Sequence, residues 1–166
     1  AIMRRIGICL LVCTMGLCLQ TWGVEFNTDG DKEGWTTGNN LGSFDVKDGN
    51  MVIQIKANSS DPFLNGPAGA WDADSITGIE FRIRISADIT GRGGPAIYYF
   101  PSAGQHGNFG YEILYPQEWN IVYIDFLGAP QGGDSPKPWE GEIGRIRIDF
   151  ADNVPEDYTV EIDWIR

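Results

Sequence analysis

The sequence predicts an all-β fold in which two antiparallel sheets pack face to face as a β-sandwich. Short apolar runs are separated by turn residues, and 22 glycines and 9 prolines punctuate the 166 residues. Several runs alternate apolar and polar residues, as strands with one buried face do. No run in 24–166 carries an apolar stripe of helical period and length. Eight or so such strands bury their apolar faces best in two stacked sheets, and a jelly roll is the expected topology.

The strands are predicted in chain order from these patterns. Their predicted ranges are 24–27, 42–46, 51–56, 76–86, 95–100, 109–115, 119–126, 143–150 and 158–165. Alternation is clearest in the fourth, eighth and ninth of these, and in the last it places Trp164 on the apolar side. Asp48-Gly49, between the second and third strands, accepts the positive φ angles of a tight hairpin turn.

Residues 1–23 have the pattern of a signal peptide. Arg4 and Arg5 precede an apolar run at 6–19, and Thr21 and Gly23 are small residues at positions −3 and −1 of a cleavage site. The apolar run is shorter than the roughly 20 residues of a membrane span, and an uncleaved anchor stays the alternative. We therefore expect one secreted domain at 24–166, extracellular or periplasmic, with no membrane contact after cleavage.

Composition limits the kinds of partner and chemistry. The net charge is −11, with 23 acidic and 12 basic residues, which argues against nucleic acid and anionic membranes. All three cysteines precede the predicted cleavage site, so the domain is expected without disulfides or thiol chemistry. The one histidine, His106, has no recognisable catalytic partner in the sequence. We expect a monomer that is not an enzyme.

Arginines occupy the polar side of two predicted strands, Arg82 and Arg84 in one and Arg145 and Arg147 in the other. A guanidinium is a planar donor fork that suits sugar hydroxyls or a uronate carboxylate. Arg82, Arg84 and Arg147 are therefore candidate ligand-binding residues. The alternative is a cross-strand ladder of ion pairs on a solvated face, with partners among Glu80, Asp149, Glu161 and Asp163.

Aromatic residues form 12% of the chain and supply candidate stacking surfaces for sugar rings. The candidates are Trp71, Tyr98, Tyr99, Tyr111 and Tyr115. Core packing and strand propensity are the alternative explanation. In 95–100 both alternating sets are apolar, so alternation does not say which side chains face outward. The tryptophans at 35, 119, 139 and 164 are expected in the core or as loop anchors.

Residues 29–34 space the carboxylates of Asp29, Asp31 and Glu33 at every second position. Hard oxygen ligands recur this way in the first half of a calcium loop. Asn40 stands where an EF-hand has its bidentate glutamate, so the segment is not an EF-hand. A polar turn capped by its own Asp side chains is the alternative.

Six segments, taken together and in order, carry a family resemblance. They are 25–35, 48–50, 61–63, 139–143, 145–149 and 162–165. The set resembles a group of bacterial secreted domains of the galactose-binding-like, jelly-roll type, which are similar to carbohydrate-binding modules. Where such domains commonly present a tryptophan, this chain has Tyr99 within 96–100.

The resemblance implies non-catalytic binding of a polysaccharide. It also implies a structural calcium between the first and last strands, with Glu25 and Asp163 joining Asp29 and Asp31 as ligands. An extracellular structural or adhesion module that binds proteins stays open as a second class of function. A small glycan-active enzyme is the third.

Overall fold

The computed structural model describes residues 23–67, 69, 71–102, 106–131 and 137–166. The predicted signal peptide lies outside this part of the chain, except for Gly23. The strands are β1 (Val24–Glu25), β2 (Thr36–Thr37), β3 (Leu41–Lys47), β4 (Asn50–Ile55), β5 (Phe63–Asn65), β6 (Trp71–Asp72), β7 (Gly78–Ile85), β8 (Ala96–Pro101), β9 (Gly107–Gly110), β10 (Asn120–Asp125), β11 (Glu142–Asp149) and β12 (Tyr158–Ile165). Among the described residues, no helix has the length and apolar content needed to cross a membrane.

The strands form two antiparallel sheets, which confirms the predicted β-sandwich. Sheet A has the order β10-β7-β12-β4-β3, with β1 beside β12. Sheet B has the order β2-β5-β11-β8-β9, with β6 beside β11. From β7 onward nearly every connection crosses from one sheet to the other, as in a jelly roll. In this part of the chain most strands that are neighbours in sequence therefore lie in opposite sheets, and β8 and β9 are the exception.

The core lies between the sheets and is built from alternate residues of each long strand. In β7, Ile79, Phe81, Ile83 and Ile85 are each at most 3% exposed. Ile97 and Tyr99 of β8 and Ile146 and Ile148 of β11 close the core from sheet B. Trp35 and Trp139 are also buried, as predicted.

The hairpin between β3 and β4 forms as the sequence predicts. Lys47 pairs with Asn50, and Asp48 and Gly49 between them have φ angles of 51° and 78°. A two-residue turn with two positive φ angles matches the right-handed twist of the strands. The local sequence therefore determines the register of this hairpin.

Two details of the sequence prediction are wrong. The strand predicted at 109–115 is β9 at Gly107–Gly110, and the chain leaves the sheet at Tyr111. In β12 the register shifts between Ile162 and Trp164, so Ile165 enters the core and Trp164 turns outward. An extra residue in one strand reverses the facing of every residue after it.

Candidate functional site

The three arginines proposed to act together lie on opposite faces of the sandwich. Arg82 and Arg84 are on β7 of sheet A, whereas Arg147 is on β11 of sheet B. The structure therefore does not bring the three arginines together in one place. Alternation shows that each side chain points away from the core, but it does not show to which sheet the strand belongs.

On sheet A the two arginines form a cross-strand ladder of ion pairs, which was the alternative to ligand binding in the sequence analysis. Arg82 pairs with Asp163 at 2.6 Å and Arg84 pairs with Glu161 at 2.5 Å. Both guanidinium groups stack on Trp119, at 4.5 and 4.9 Å from the ring centroid. These cations and this ring already have partners within the protein.

On sheet B an arginine lies between two aromatic rings that face outward. The Arg147 guanidinium is 4.0 Å from the ring centroid of Phe63 and 4.3 Å from that of Tyr98, its cross-strand partner. His106 lies against Tyr98 and Phe100, with ring centroids 5.7 and 5.5 Å apart. We call this surface the aromatic–arginine face, defined by Phe63, Tyr98, Phe100, His106 and Arg147.

Two carboxylates anchor the centre of the aromatic–arginine face. Arg147 donates to Asp149 at 2.6 Å and to Asp61 at 3.1 Å. Asp149 is 4% exposed, and burial raises its pKa to about 7, although the charge of Arg147 acts to lower it. Burial, followed by the charge of Asp149, also raises the pKa of Tyr98. The arginine is thus held in one position against the two rings.

Three buried polar atoms in this region have no hydrogen-bond partner among the described residues. They are Arg147 Nε, Asp149 Oδ1 and Asn65 Oδ1. Asn65 lies opposite Arg147 in the pairing of β5 with β11. Buried polar groups are hydrogen-bonded in most proteins, so each of these three atoms has capacity for a further partner.

Two grooves adjoin sheet B. One, of about 260 Å³, is lined by Gly34, Thr36, Asn65, Gly66, Gly144 and Arg145. The other, of about 490 Å³, is lined by Pro101, Ser102, Lys137, Glu140, Gly141 and Glu142. Both contain residues of β11 or of the turn before it. The smaller groove adjoins the aromatic–arginine face, because Asn65 of its lining pairs with Arg147 and Arg145 of its lining stacks on Phe100.

Of the predicted ligand-binding residues, the structure brings together Tyr98 and Arg147. Tyr99 is 0% exposed and packs against Trp139, and its hydroxyl donates to the carbonyl of Lys137. Tyr111 is 8% exposed and donates to the carbonyl of Asp149 at 2.8 Å.

Trp71 is 8% exposed and lies opposite buried Ile143. The side chains of Tyr99, Tyr111 and Trp71 thus pack into the core, away from Tyr98 and Arg147, and their ligand contacts stay a prediction.

The four predicted calcium ligands each contact other groups. Glu25 accepts from Asn27, Asp29 from the backbone of Asp48, and Asp31 from the backbone of Glu33. Asp163 pairs with Arg82. Within the described ranges no three His, Cys, Asp or Glu side chains form a group that could hold a metal ion. The structure therefore does not gather the four carboxylates into one group, and calcium binding stays a prediction.

Sequence reasoning missed three members of the aromatic–arginine face, namely Phe63, Phe100 and His106. Phe63 lies in the three-residue strand β5, which is too short to show alternation. Phe100 lies two residues after Tyr98, so both side chains are on the same face of β8. Both residues pair with arginines of β11, and this pairing distinguishes them from Tyr99. That pairing comes from the tertiary structure.

No protein-family model matches the sequence, and no curated protein matches it either. Solved structures do match. A mutant family 29 carbohydrate-binding module complexed with mannohexaose has a TM-score of 0.53 at 16% identity, over 87% of this chain and 88% of that chain. The agarase AgWH50C has a TM-score of 0.61 at 11% identity, over 87% of this chain and 24% of the agarase.

PfGH50B has a TM-score of 0.58 at 13% identity, and the match covers 79% of this chain and 21% of that one. These identities are low, so the likenesses concern the fold. This chain has the β-sandwich fold of carbohydrate-binding modules, and the same fold occurs as a part of much longer chains.

Proposed function

We propose that this domain is a non-catalytic module that binds polysaccharide through the aromatic–arginine face of sheet B. The observation that carries the proposal is the ring of Tyr98, held outside the sandwich against the guanidinium of Arg147 at 4.3 Å. Most other aromatic side chains, including neighbouring Tyr99, are buried in the core. Sugar binding needs two elements, and this face has both: half-exposed rings for stacking and a donor group held beside them.

The chemistry follows from the two kinds of group. The C–H faces of a sugar ring stack on an aromatic ring, and its hydroxyls exchange hydrogen bonds with guanidinium and carboxylate groups. Asp61 and Asp149 hold Arg147 in place before any ligand arrives. Such preorganisation reduces the entropy lost on binding.

The structural relatives support a polysaccharide as the ligand. Solved family 29 modules hold mannohexaose in one case and cellulohexaose in another. The similar part of the agarase AgWH50C belongs to a protein named for action on a polysaccharide. We propose that this domain, exported through the segment 1–23, acts outside the cell as a monomer beside enzymes that degrade glycans.

Isothermal titration against a panel of soluble polysaccharides tests the proposal. Binding by one small module is expected with a Kd of about micromolar to millimolar. Tyr98→Ala should weaken it about tenfold or more, equal to about 1.4 kcal/mol. Tyr123→Ala is the matched comparison, because Tyr123 is 65% exposed on sheet A. Unchanged affinity in Tyr98→Ala would show that the aromatic–arginine face is not the site.

One observation favours protein binding as a second candidate function. Five large hydrophobic side chains of the described chain are more than 60% exposed, and all lie between 114 and 127: Leu114, Tyr115, Ile121, Tyr123 and Leu127. They surround β10, an edge strand of sheet A. Exposed apolar patches mark interaction surfaces. In this case a pull-down with extracellular proteins would capture a partner that Tyr123→Ala loses and Tyr98→Ala retains.

A further inference from the structure

The groove of about 260 Å³ beside the aromatic–arginine face has a basic lining with no acidic residue. Its lining residues are Gly34, Thr36, Asn65, Gly66, Gly144 and Arg145. In the whole chain, acidic residues outnumber basic ones by 23 to 12. A concave surface lined by one arginine and no carboxylate contrasts with this acidic composition, and a cation without a carboxylate in the same lining attracts an anion.

Arg145 is free to bind such an anion. The ion pairs among the described residues involve Arg82, Arg84, Arg147, Arg166 and two lysines, but not Arg145. Its guanidinium stacks on Phe100 at 4.1 Å from the ring centroid. Stacking orients the guanidinium plane without using any of its five N–H donors.

Arg147, two residues further along β11, cannot take this role. Its guanidinium already donates to Asp61 and Asp149, and rings cover both of its faces. Two carboxylates for one guanidinium make the centre of the aromatic–arginine face unfavourable for a further negative charge. The two neighbouring arginines therefore differ in charge balance: Arg147 is neutralised by carboxylates of the protein, whereas Arg145 has no carboxylate partner among the described residues.

The rest of the groove suits a sugar residue. Gly34, Gly66 and Gly144 provide half of its lining and carry no side chain that could block the groove. Asn65 Oδ1 receives no hydrogen bond from the part of the chain that the structure describes, and a sugar hydroxyl can donate one after a small rotation of the carboxamide. An anionic substituent and a hydroxyl on the same ring would complement Arg145 and Asn65 together.

We propose that this groove is an acidic-sugar subsite, in which Arg145 binds an anionic group, a uronate carboxylate or a sulfate ester, on a residue of the bound glycan. The inference rests on the proposed function, since the adjoining sugars must lie on the aromatic–arginine face. It adds a preference for anionic over neutral chains. It also makes Arg145 the residue that determines this specificity.

The test is calorimetric titration of three oligosaccharides of equal length: an oligogalacturonate, a sulfated galactan and a neutral cello-oligosaccharide. The measured quantity is the ratio of anionic to neutral affinity for each variant. In the wild type, one anionic ligand should bind about tenfold tighter than the neutral one. Arg145→Gln should bring the ratio near one, Arg145→Lys should retain part of it, and Arg166→Gln, on sheet A, should leave it unchanged.

The outcomes separate this inference from the proposed function. Whichever anionic ligand binds tighter identifies the substituent as carboxylate or sulfate. Equal affinity for all three ligands, or a preference that survives Arg145→Gln, overturns the subsite and leaves polysaccharide binding intact. A wild type that binds none of the three also overturns the subsite, and the polysaccharide panel with Tyr98→Ala then decides the proposed function separately. Thermal melts of Arg145→Gln check that it folds.

Discussion

The side chains of Arg147 and Asp149 lie two residues apart on β11, joined by a 2.6 Å hydrogen bond between Nη2 and Oδ2. Residues i and i+2 of a strand share a face, so both belong to the outer side of sheet B. The Asp149 side chain is nevertheless only 5% exposed. The charged form of this carboxyl is poorly solvated. The charge at the centre of the binding surface therefore depends on pH.

Asp149→Asn should change how stability depends on pH. The folded pKa of Asp149 is raised to about 7, chiefly by burial, whereas an unfolded Asp titrates near about 3.9. Between these values the folded state holds a proton that the unfolded state has released. Raising the pH from about 4 to 7 therefore costs stability, by at most about 1.4 kcal/mol per pH unit, and Asp149→Asn should remove this cost.

Urea unfolding at several pH values measures the difference between the wild type and Asp149→Asn. Asp157→Asn is the control variant, because the hydrogen bond from Lys56 lowers the pKa of Asp157, opposite to the shift at Asp149. The contribution of Asp157 is present at neutral pH and is lost only as the pH falls below its ordinary range. A wild type and an Asp149→Asn variant with parallel stability curves between pH 4 and 7 would contradict the prediction.

Arg147→Ala should be strongly destabilising at alkaline pH. Removing one partner of a buried ion pair leaves an uncompensated charge and typically costs about 3 kcal/mol or more. At pH 5 the loss should be smaller, since Asp149, with its raised pKa, then carries a proton. The double variant Arg147→Ala/Asp149→Asn should recover part of the loss at pH 8. If Arg147→Ala were equally destabilising at both pH values, Asp149 would not be the group left unpaired.

Gly38→Ala should disturb the aromatic–arginine face through Phe63. The Gly38 N–H donates to the Phe63 carbonyl at 3.1 Å, and a Cβ added at Gly38 would overlap the Phe63 ring. The strain should cost about 1–3 kcal/mol and lower glycan affinity by displacing the ring. Gly93→Ala is the control, because in the described part of the chain only its own residue and chain neighbours lie within 4 Å of its added Cβ. Unfolding curves and titrations of both variants provide the comparison.

Tyr99→Phe should affect stability and leave glycan binding unchanged. The variant keeps the buried ring but loses the hydroxyl that donates to the Lys137 carbonyl. A buried hydrogen bond of this kind contributes about 1 kcal/mol. Calorimetric titration alongside Tyr98→Ala separates the two neighbouring tyrosines. A weakened glycan affinity in Tyr99→Phe, at full folding, would place Tyr99 in the site after all.

Arg84→Ala should bind the best glycan ligand with unchanged affinity. Arg84 is paired with Glu161 and stacked on Trp119, on the sheet opposite to the proposed site. Exposed pairs of this kind contribute about 1 kcal/mol or less, so the variant should fold. Titration of the purified variant measures the affinity. A loss of binding would show that sheet A holds the glycan.

Much of the fold could be predicted because local patterns carry it. The β3–β4 hairpin follows from Asp48-Gly49, and β7 follows from four apolar residues at alternate positions. The short strands β2, β5 and β6 could not be predicted. Two or three residues are too few to show alternation. β5 and β6 form because they pair with β11, and β2 forms because it pairs with β5.

The candidate site was harder to predict than the fold. The sequence indicated that Arg82, Arg84 and Arg147 all point away from the core, and the structure confirms this for each. Tyr98 and Tyr99 were indistinguishable, since both alternating sets of their strand are apolar. Only the pairing of β8 with β11 places Tyr98 beside Arg147 and Tyr99 in the core.

The sequence by itself determined an antiparallel sandwich, the position of its long strands and the tight turn at Asp48-Gly49. It did so because side-chain alternation and turn conformation depend on residues close together in the chain. The tertiary structure decided which arginines share a face, which rings remain outside and which groove contains Arg145. These depend on how distant strands pair and on a one-residue shift in β12, which no local pattern encodes.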